Sequence, residues 1–240
     1  MIRWRAGAAL PGAPARHGPA KEIPMPQLTT RDNVHLLSLG SDENRFTLDW
    51  LTRMEAALDA IEAQPAPLVA FGEGKFFSNG LDLDWVLAHP DELPAYTARV
   101  QAVFARVLTL GAPTAVAING HAFGAGAMLA MAFDWRVMRE DRGFFCFPEV
   151  DIQIPFTVGM AALIQAKLTP RAAVDSMTTG RRFGGLDALS AGIVDGVAAE
   201  GALEAAALAH VAPLAGKSST TLAAIKSTMY ADVVRALAQG

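Results

Sequence analysis

Cysteine is almost missing from these 240 residues. Cys146 is the only one, so the chain can form neither an internal disulfide nor a cysteine-based metal cluster. A reduced, cytoplasmic setting follows as the default. Charge is scarce too, at 18% of residues, and neither sign dominates. Twenty Lys+Arg stand against 24 Asp+Glu, a net charge of −4, which lacks the basic footprint of a nucleic-acid binder. Internal repeats of 20–50 residues are absent. What the chain does have is apolar bulk, 52% of residues, which excludes disorder for most of its length and suffices for a sizeable core.

Such a composition raises the question of a membrane span. Val107 to Phe133 is a run of 27 residues without Asp, Glu, Lys or Arg, long enough to cross a bilayer. Its contents argue against a span, because Gly111, Pro113, Asn119, Gly120, Gly124 and Gly126 cut it into pieces. Pro113 to Ile118 reads as a buried strand, Asn119-Gly120-His121 as a turn, and Ala125 to Phe133 as a small-residue helix. No membrane partner is expected. Residues 1–26 differ from the rest, with five of the 14 prolines, four basic residues and a single acid. They read as a disordered extension, or as an over-long start with Met25 the natural beginning, and not as a signal peptide, since Ala6 to Leu10 is too short an apolar stretch. The remaining body carries 16 basic and 23 acidic residues.

Within the body, patterns predict strands at Val34–Leu39, Leu68–Phe71, 113–118, Trp135–Met138, Phe144–Phe147 and Ile193–Val197. Helices are predicted at Asp49–Ala63, Pro94–Leu110, Ala125–Phe133, Thr157–Leu168, Pro170–Thr178, Leu186–Ser190, Leu203–Leu214 and Thr220–Leu237. Strands alternating with helices imply an α/β fold. We divide it into a core at 27–195 and a helical C-terminal region at 196–240.

Two turns of small or polar residues join strand to helix: Gly72 through Asp82, and Asn119 through Ala127. In each the backbone can approach a ligand closely, and N–H groups at a helix start carry the positive end of its dipole. Side by side, two such turns form an oxyanion site. Neither is a dinucleotide fingerprint, a P-loop or a serine-hydrolase elbow. The third feature is Phe144-Phe-Cys-Phe-Pro-Glu149-Val-Asp-Ile-Gln-Ile-Pro155. A carboxyl group among such neighbours is desolvated, which raises its pKa toward the range useful for proton transfer.

Together, Lys75-Phe-Phe-Ser-Asn-Gly-Leu-Asp82, Pro113 through Asp134 with Arg136, Glu140-Asp-Arg-Gly-Phe144, and Pro148-Glu-Val-Asp-Ile resemble the enoyl-CoA hydratase/isomerase (crotonase) superfamily. The likeness covers nearly all of residues 27–240 and is strongest to the plant and bacterial type of Δ3,Δ2-enoyl-CoA isomerase. It implies a crotonase-like (ClpP/crotonase) spiral of ββα units, with a helical C-terminal region that assembles trimers or dimers of trimers. It implies an acyl-CoA thioester substrate, with coenzyme A part of the substrate and no separate cofactor or metal. By motif matching, the oxyanion donors are the backbone N–H groups of Asn79 and Ala125, and Glu149 is the catalytic base. Ser78, Gly80, Leu81, Asp82, Gly124, Met128, Phe147 and Phe156 surround the substrate, and Arg45, Lys75 and Lys226 are candidates for the coenzyme A phosphates.

Two departures stand out. Met128 occupies the position of a hydratase's first glutamate, so paired acid–base activation of water is in doubt while a single-glutamate proton shuttle remains available. Gln153 stands where most relatives have Gly. Of the other polar groups, His121 is expected to be structural, Asp82 to cap a helix starting near Leu83, Asp134 and Arg136 to form a strand-start pair, and Cys146 to be a core thiol. The leading function is 3-enoyl-CoA to trans-2-enoyl-CoA isomerisation in fatty-acid oxidation. A one-glutamate hydratase, another crotonase-type thioester enzyme such as a hydrolase, and a non-catalytic scaffold are the alternatives.

Overall fold

A computed structural model describes residues 25–239. The reading of residues 1–26 lies almost wholly outside them. The chain opens with a hairpin of β1 (Gln27–Arg31) and β2 (Val34–Ser38), turned by Asp32 and Asn33, both at positive φ as a tight hairpin requires. A short β3 (Arg45–Phe46) leads into α1 (Leu48–Ala63), where the Thr47 hydroxyl caps the Trp50 N–H. Next come β4 (Leu68–Phe71), β5 (Phe76–Ser78), β6 (Gly80–Leu81), α2 (Leu83–Ala88) and α3 (Leu93–Leu108). The middle of the chain is β7 (Thr114–Ile118), β8 (His121–Phe123), α4 (Ala125–Ala132), β9 (Trp135–Arg139), β10 (Phe145–Cys146), α5 (Glu149–Ile152) and α6 (Val158–Lys167). It closes with α7 (Pro170–Thr179), α8 (Gly185–Ser190), β11 (Gly196–Ala198), α9 (Leu203–Val211), α10 (Ser219–Met229) and α11 (Ala231–Leu237).

Six strands form one sheet in the order β1-β2-β4-β7-β9-β11, parallel except for the first pair. A second, parallel sheet is β10-β8-β5, and β3 pairs with β6. Each large-sheet strand β4, β7 and β9 is followed by a small-sheet strand and then a helix, which is the ββα spiral expected. The central strands β4 and β7 are buried on both faces, as their near-continuous apolar runs require. Leu37, Ala70, Val116 and Met138 face the main core with α1, α3, α4 and α6. Leu36, Val69, Ala115 and Val137 meet Leu203, Ala207 and Val211 of α9 on the other side.

Several expectations are revised. The uncharged run is broken as read, and no helix among the described residues is long and apolar enough to cross a membrane. His121 opens strand β8 instead of belonging to a turn. The predicted final helix is two helices parted at Tyr230, and the late strand begins at Gly196. β11 pairs with β9 and α9 covers the large sheet, so the segment after residue 195 is integral to the core of this chain. Asp134 and Arg136 do not pair with each other: Asp134 binds Lys226, and Arg136 binds Asp195.

Candidate active site

The first turn is held from beneath by Asn44, whose side-chain N–H groups donate to Gly40 O and Phe77 O. The buried Ser78 hydroxyl donates to Asn44 O at 2.8 Å and accepts from Gly80 N at 3.1 Å. Farther along, the Tyr96 hydroxyl accepts from Asp82 N at 3.0 Å and donates to Phe46 O at 2.8 Å. Asp82 itself caps α2 by accepting from Trp85 N, as expected.

Gly80 brings the two turns together. Its φ is +78°, and a Cβ there would lie 2.9 Å from Ala125 N and 3.0 Å from Gly126 N. Only glycine fits, and the backbone of the first turn therefore lies against the start of α4. Gly126 returns the contact, since a Cβ on it would meet Ser78 O at 2.4 Å. Gly124, at φ 52° and ψ −123°, occupies a region open in practice only to glycine. Its N–H donates to Cys146 O, while Ala125 opens α4 with an N–H that has no intrahelical acceptor.

Glu149 arrives from the third unit. β10 and Pro148 place it at the first position of α5, 8% exposed. Its Oε1 lies 3.3 Å from where a Gly124 Cβ would be, so the carboxyl group sits over the start of α4. Its Oε2 is buried without a hydrogen-bond partner. Burial pushes its pKa up to about 7, opposed weakly by a bond to its own backbone N–H. Phe147, fully buried, meets the half-buried Phe156 edge to face, and Met128 is 1% exposed in the same core cluster. A carboxyl near pH 7, an unclaimed amide at a helix start and an apolar lining can move a proton next to a developing oxyanion.

Some expected residues are placed otherwise. The Asn79 N–H donates to Glu43 O at 2.8 Å, so this amide is already used and its assignment as an oxyanion donor is corrected. Lys226 is 4% exposed and donates to Ala112 O at 2.8 Å and to Asp134 at 2.6 Å, so its charge serves the interior and not a phosphate at this site. Lys75 is exposed, its ammonium 5.0 Å from the Phe76 ring. Arg45 is bound to Glu43 and faces a groove shared with Asp42, Asp49 and Glu73, an acidic setting for a phosphate ligand. His121 lies among the rings of Phe76, Phe123 and Phe144, and burial followed by Lys75, Arg182 and Arg142 lowers its pKa. It is therefore a neutral, structural group. The Cys146 thiol donates to Gly180 O and is pushed up to about 11, mainly by burial, which leaves no thiolate for nucleophilic attack. Asn44 and Tyr96 were not anticipated, because each reaches a partner more than 30 residues away, Phe77 and Phe46, and carries no local motif.

Fold and site together define an α/β protein of spiralled ββα units with one buried carboxyl group facing backbone amides. The sequence model of the enoyl-CoA hydratase/isomerase family matches residues 31–240, and the chain belongs to that family. It is 34% identical to enoyl-CoA delta isomerase 3 of Arabidopsis thaliana over 87% of this chain and 93% of that protein. It is 32% identical to a putative enoyl-CoA hydratase of Thermus thermophilus over 84% of this chain and 82% of that one. A solved enoyl-CoA isomerase from Mycobacterium tuberculosis superposes with a TM-score of 0.81 at 25% identity, covering 88% of this chain and 93% of its own.

Proposed function

We propose that the chain is an enoyl-CoA isomerase that converts 3-enoyl-CoA to trans-2-enoyl-CoA. The observation that carries this reading is the single buried, unpartnered carboxyl oxygen of Glu149 with Met128, not a second acid, in α4. The Glu149 carboxylate takes the proton from C2. The electron pair left behind delocalises onto the thioester oxygen, giving a dienolate. Protonated Glu149 then returns the same proton to C4, the double bond moves from C3–C4 to C2–C3, and the carboxylate is regenerated. One group serves as base and then acid, a task suited to a pKa near 7.

The oxyanion is held by the Ala125 N–H and by a second amide. Of four consecutive candidates, Asn79 donates to Glu43 O, Gly80 to Ser78 Oγ and Asp82 to the Tyr96 hydroxyl. That leaves Leu81, whose competing claim is the two-residue pairing of β6 with β3. Each such donor contributes about 3–4 kcal/mol to the transition state. Phe147, Phe156 and Met128 keep water away. Coenzyme A enters only as part of the substrate. A cytoplasmic setting and assembly as a homotrimer or dimer of trimers belong to the same reading, and the mass in solution tests the second.

Incubation with a 3-enoyl-CoA should yield the conjugated product at a rate lost in Glu149→Gln. Hydration of a trans-2-enoyl-CoA at a comparable rate would replace the isomerase reading with a hydratase.

A further inference from the structure

At the opposite end of the large sheet, where β7 and β9 begin, lies a cavity of about 520 Å³ that the proposed reaction does not use. The volume is in the range of pockets that hold small organic ligands. α10 forms one side of it. Its walls are apolar: Trp135, Leu214, Leu222, Ile225 and Met229. Lys167, Lys217, Lys226, Asp134 and Tyr230 supply charged and polar side chains.

The charges here do not cancel. Lys226 is paired with Asp134 at 2.6 Å, and Arg136, behind the cavity, with Asp195 at 3.2 Å. Two cations remain: Lys217, exposed at the rim, and Lys167, half-buried in the wall. The Lys167 ammonium donates to the Tyr230 hydroxyl at 3.3 Å and lies 5.3 Å from that ring, and it has no carboxylate within salt-bridge distance among the described residues. The Arg136 Nη1 is also buried without an acceptor. Two carboxylates therefore face four cations, with an apolar enclosure beside the half-buried unpaired one, Lys167. A half-buried cation without a counter-ion is an unfavourable arrangement that an anion relieves.

We infer that this cavity is a second ligand site that takes an anionic head on an apolar chain, of which a free medium-chain carboxylate is the simplest member. The head sits at the Lys167 ammonium and the Tyr230 hydroxyl, and the chain lies along Trp135, Leu222, Ile225 and Met229. Charge complementarity and the apolar walls select an amphiphile over either a bare anion or a neutral alcohol. The site does not depend on Glu149 or on the reaction proposed for it.

Burial, then the nearby Arg136 and Lys226 cations, lowers the Lys167 pKa to about 8, with Asp134 and Asp195 acting the other way. An anion bound beside it raises that pKa, so affinity should fall as pH goes from 7 to 9, and binding near pH 8 should take up a proton.

Calorimetric titration of the whole protein with decanoate, decan-1-ol, acetate and coenzyme A tests the inference. Decanoate should saturate one site per chain, with the alcohol and acetate at least about tenfold weaker. Lys167→Met should weaken decanoate about tenfold or more, and Glu149→Gln should leave it unchanged. Should Lys167→Met fail to melt cooperatively, Ile225→Trp, which fills the cavity, should produce the same loss. Equal decanoate binding by wild type and Lys167→Met or Ile225→Trp would overturn the inference. So would displacement of decanoate by a 2-enoyl-CoA, which would place the chain beside Glu149, or binding of coenzyme A alone at Lys167. An oligomer that binds no decanoate and dissociates on Ile225→Glu would also overturn it, by assigning this face to a second copy.

Discussion

The two ends of the large sheet bury ionisable groups in opposite ways. Where β7 and β9 begin, each acid has a cation: Asp134 accepts from Lys226 and from the Thr114 N–H, and Asp195 binds Arg136. Beyond the other end, Glu149 is about as deeply buried as Lys226 and Arg136, but has no charged partner and keeps one oxygen without any partner. Burial alone therefore does not mark a reactive group. A paired acid contributes to the fold through its ion pair and hydrogen bonds. An unpaired one is held near its neutral form, at a cost to the fold, and is available to exchange a proton.

The largest effect should come from removing the unpaired acid. Glu149→Gln should lower isomerase turnover by about 10²–10⁴-fold, measured by formation of the conjugated product. In the native enzyme, kcat/KM should fall about tenfold per pH unit below pH 7, because only the carboxylate can take the C2 proton. The same group should leave an inverse signature on stability. Its folded pKa, about 7, lies above the ordinary 4.5, so the unfolded chain releases this proton first. Wild-type stability should therefore decline relative to Glu149→Gln as pH rises from about 4.5 to 7 and stay level above, a difference of up to about 3 kcal/mol. Urea denaturation at pH 5 and pH 8 reads it. A constant difference between the two proteins would mean that Glu149 is not desolvated.

At the paired end the outcome reverses. Lys226→Met leaves the half-buried Asp134 without its cation and should cost about 3 kcal/mol of stability, with isomerase activity per folded molecule unchanged. A selective rise in KM for the coenzyme A ester without loss of stability would return Lys226 to the phosphate-binding role that its salt bridge argues against.

That reassignment shows where sequence reading stops. Elements with a period long enough to count were legible: Leu68–Phe71 is a strand at the bounds read, and α1 begins one residue from its expected start. The two-residue strands β3 and β6 are too short to alternate, and the break at Tyr230 has no Gly or Pro to announce it. Glu149 was legible because its neighbours in sequence are also its neighbours in space. The Asn79 amide was misread because its acceptor, Glu43 O, is brought to it by a loop 36 residues away in number, and a motif does not reveal which N–H groups are already used.

Tyr96 tests how the first turn is held in place. Tyr96→Phe leaves the Asp82 N–H and the Phe46 O without their shared hydroxyl and should cost about 1–3 kcal/mol of stability. If the turn positions an oxyanion donor, kcat should fall while KM for the ester changes little. Equal loss in stability with kcat intact would make Tyr96 a purely structural bond. This effect should be smaller than that of Lys226→Met, because a neutral pair is left unsatisfied and not a charge.

The smallest effect belongs to Gln153, the residue that stands in place of the glycine expected there. It ends α5 in the left-handed conformation, φ 59° and ψ 32°, with its side chain exposed. A glycine takes that conformation without the Cβ penalty, which is why helices so often end on one. The loop therefore retains the shape a glycine would favour, and Gln153 holds it at a local strain of about 1–2 kcal/mol. Gln153→Gly should relieve the strain but also loosen the unfolded chain, for a net stabilisation of about 0.5–1 kcal/mol. Because the exposed side chain supports nothing around Glu149, turnover and its pH profile should stay as they are. A variant that is more stable but slower would show that the Gln153 side chain reaches the substrate, and would place the site's boundary beyond α5.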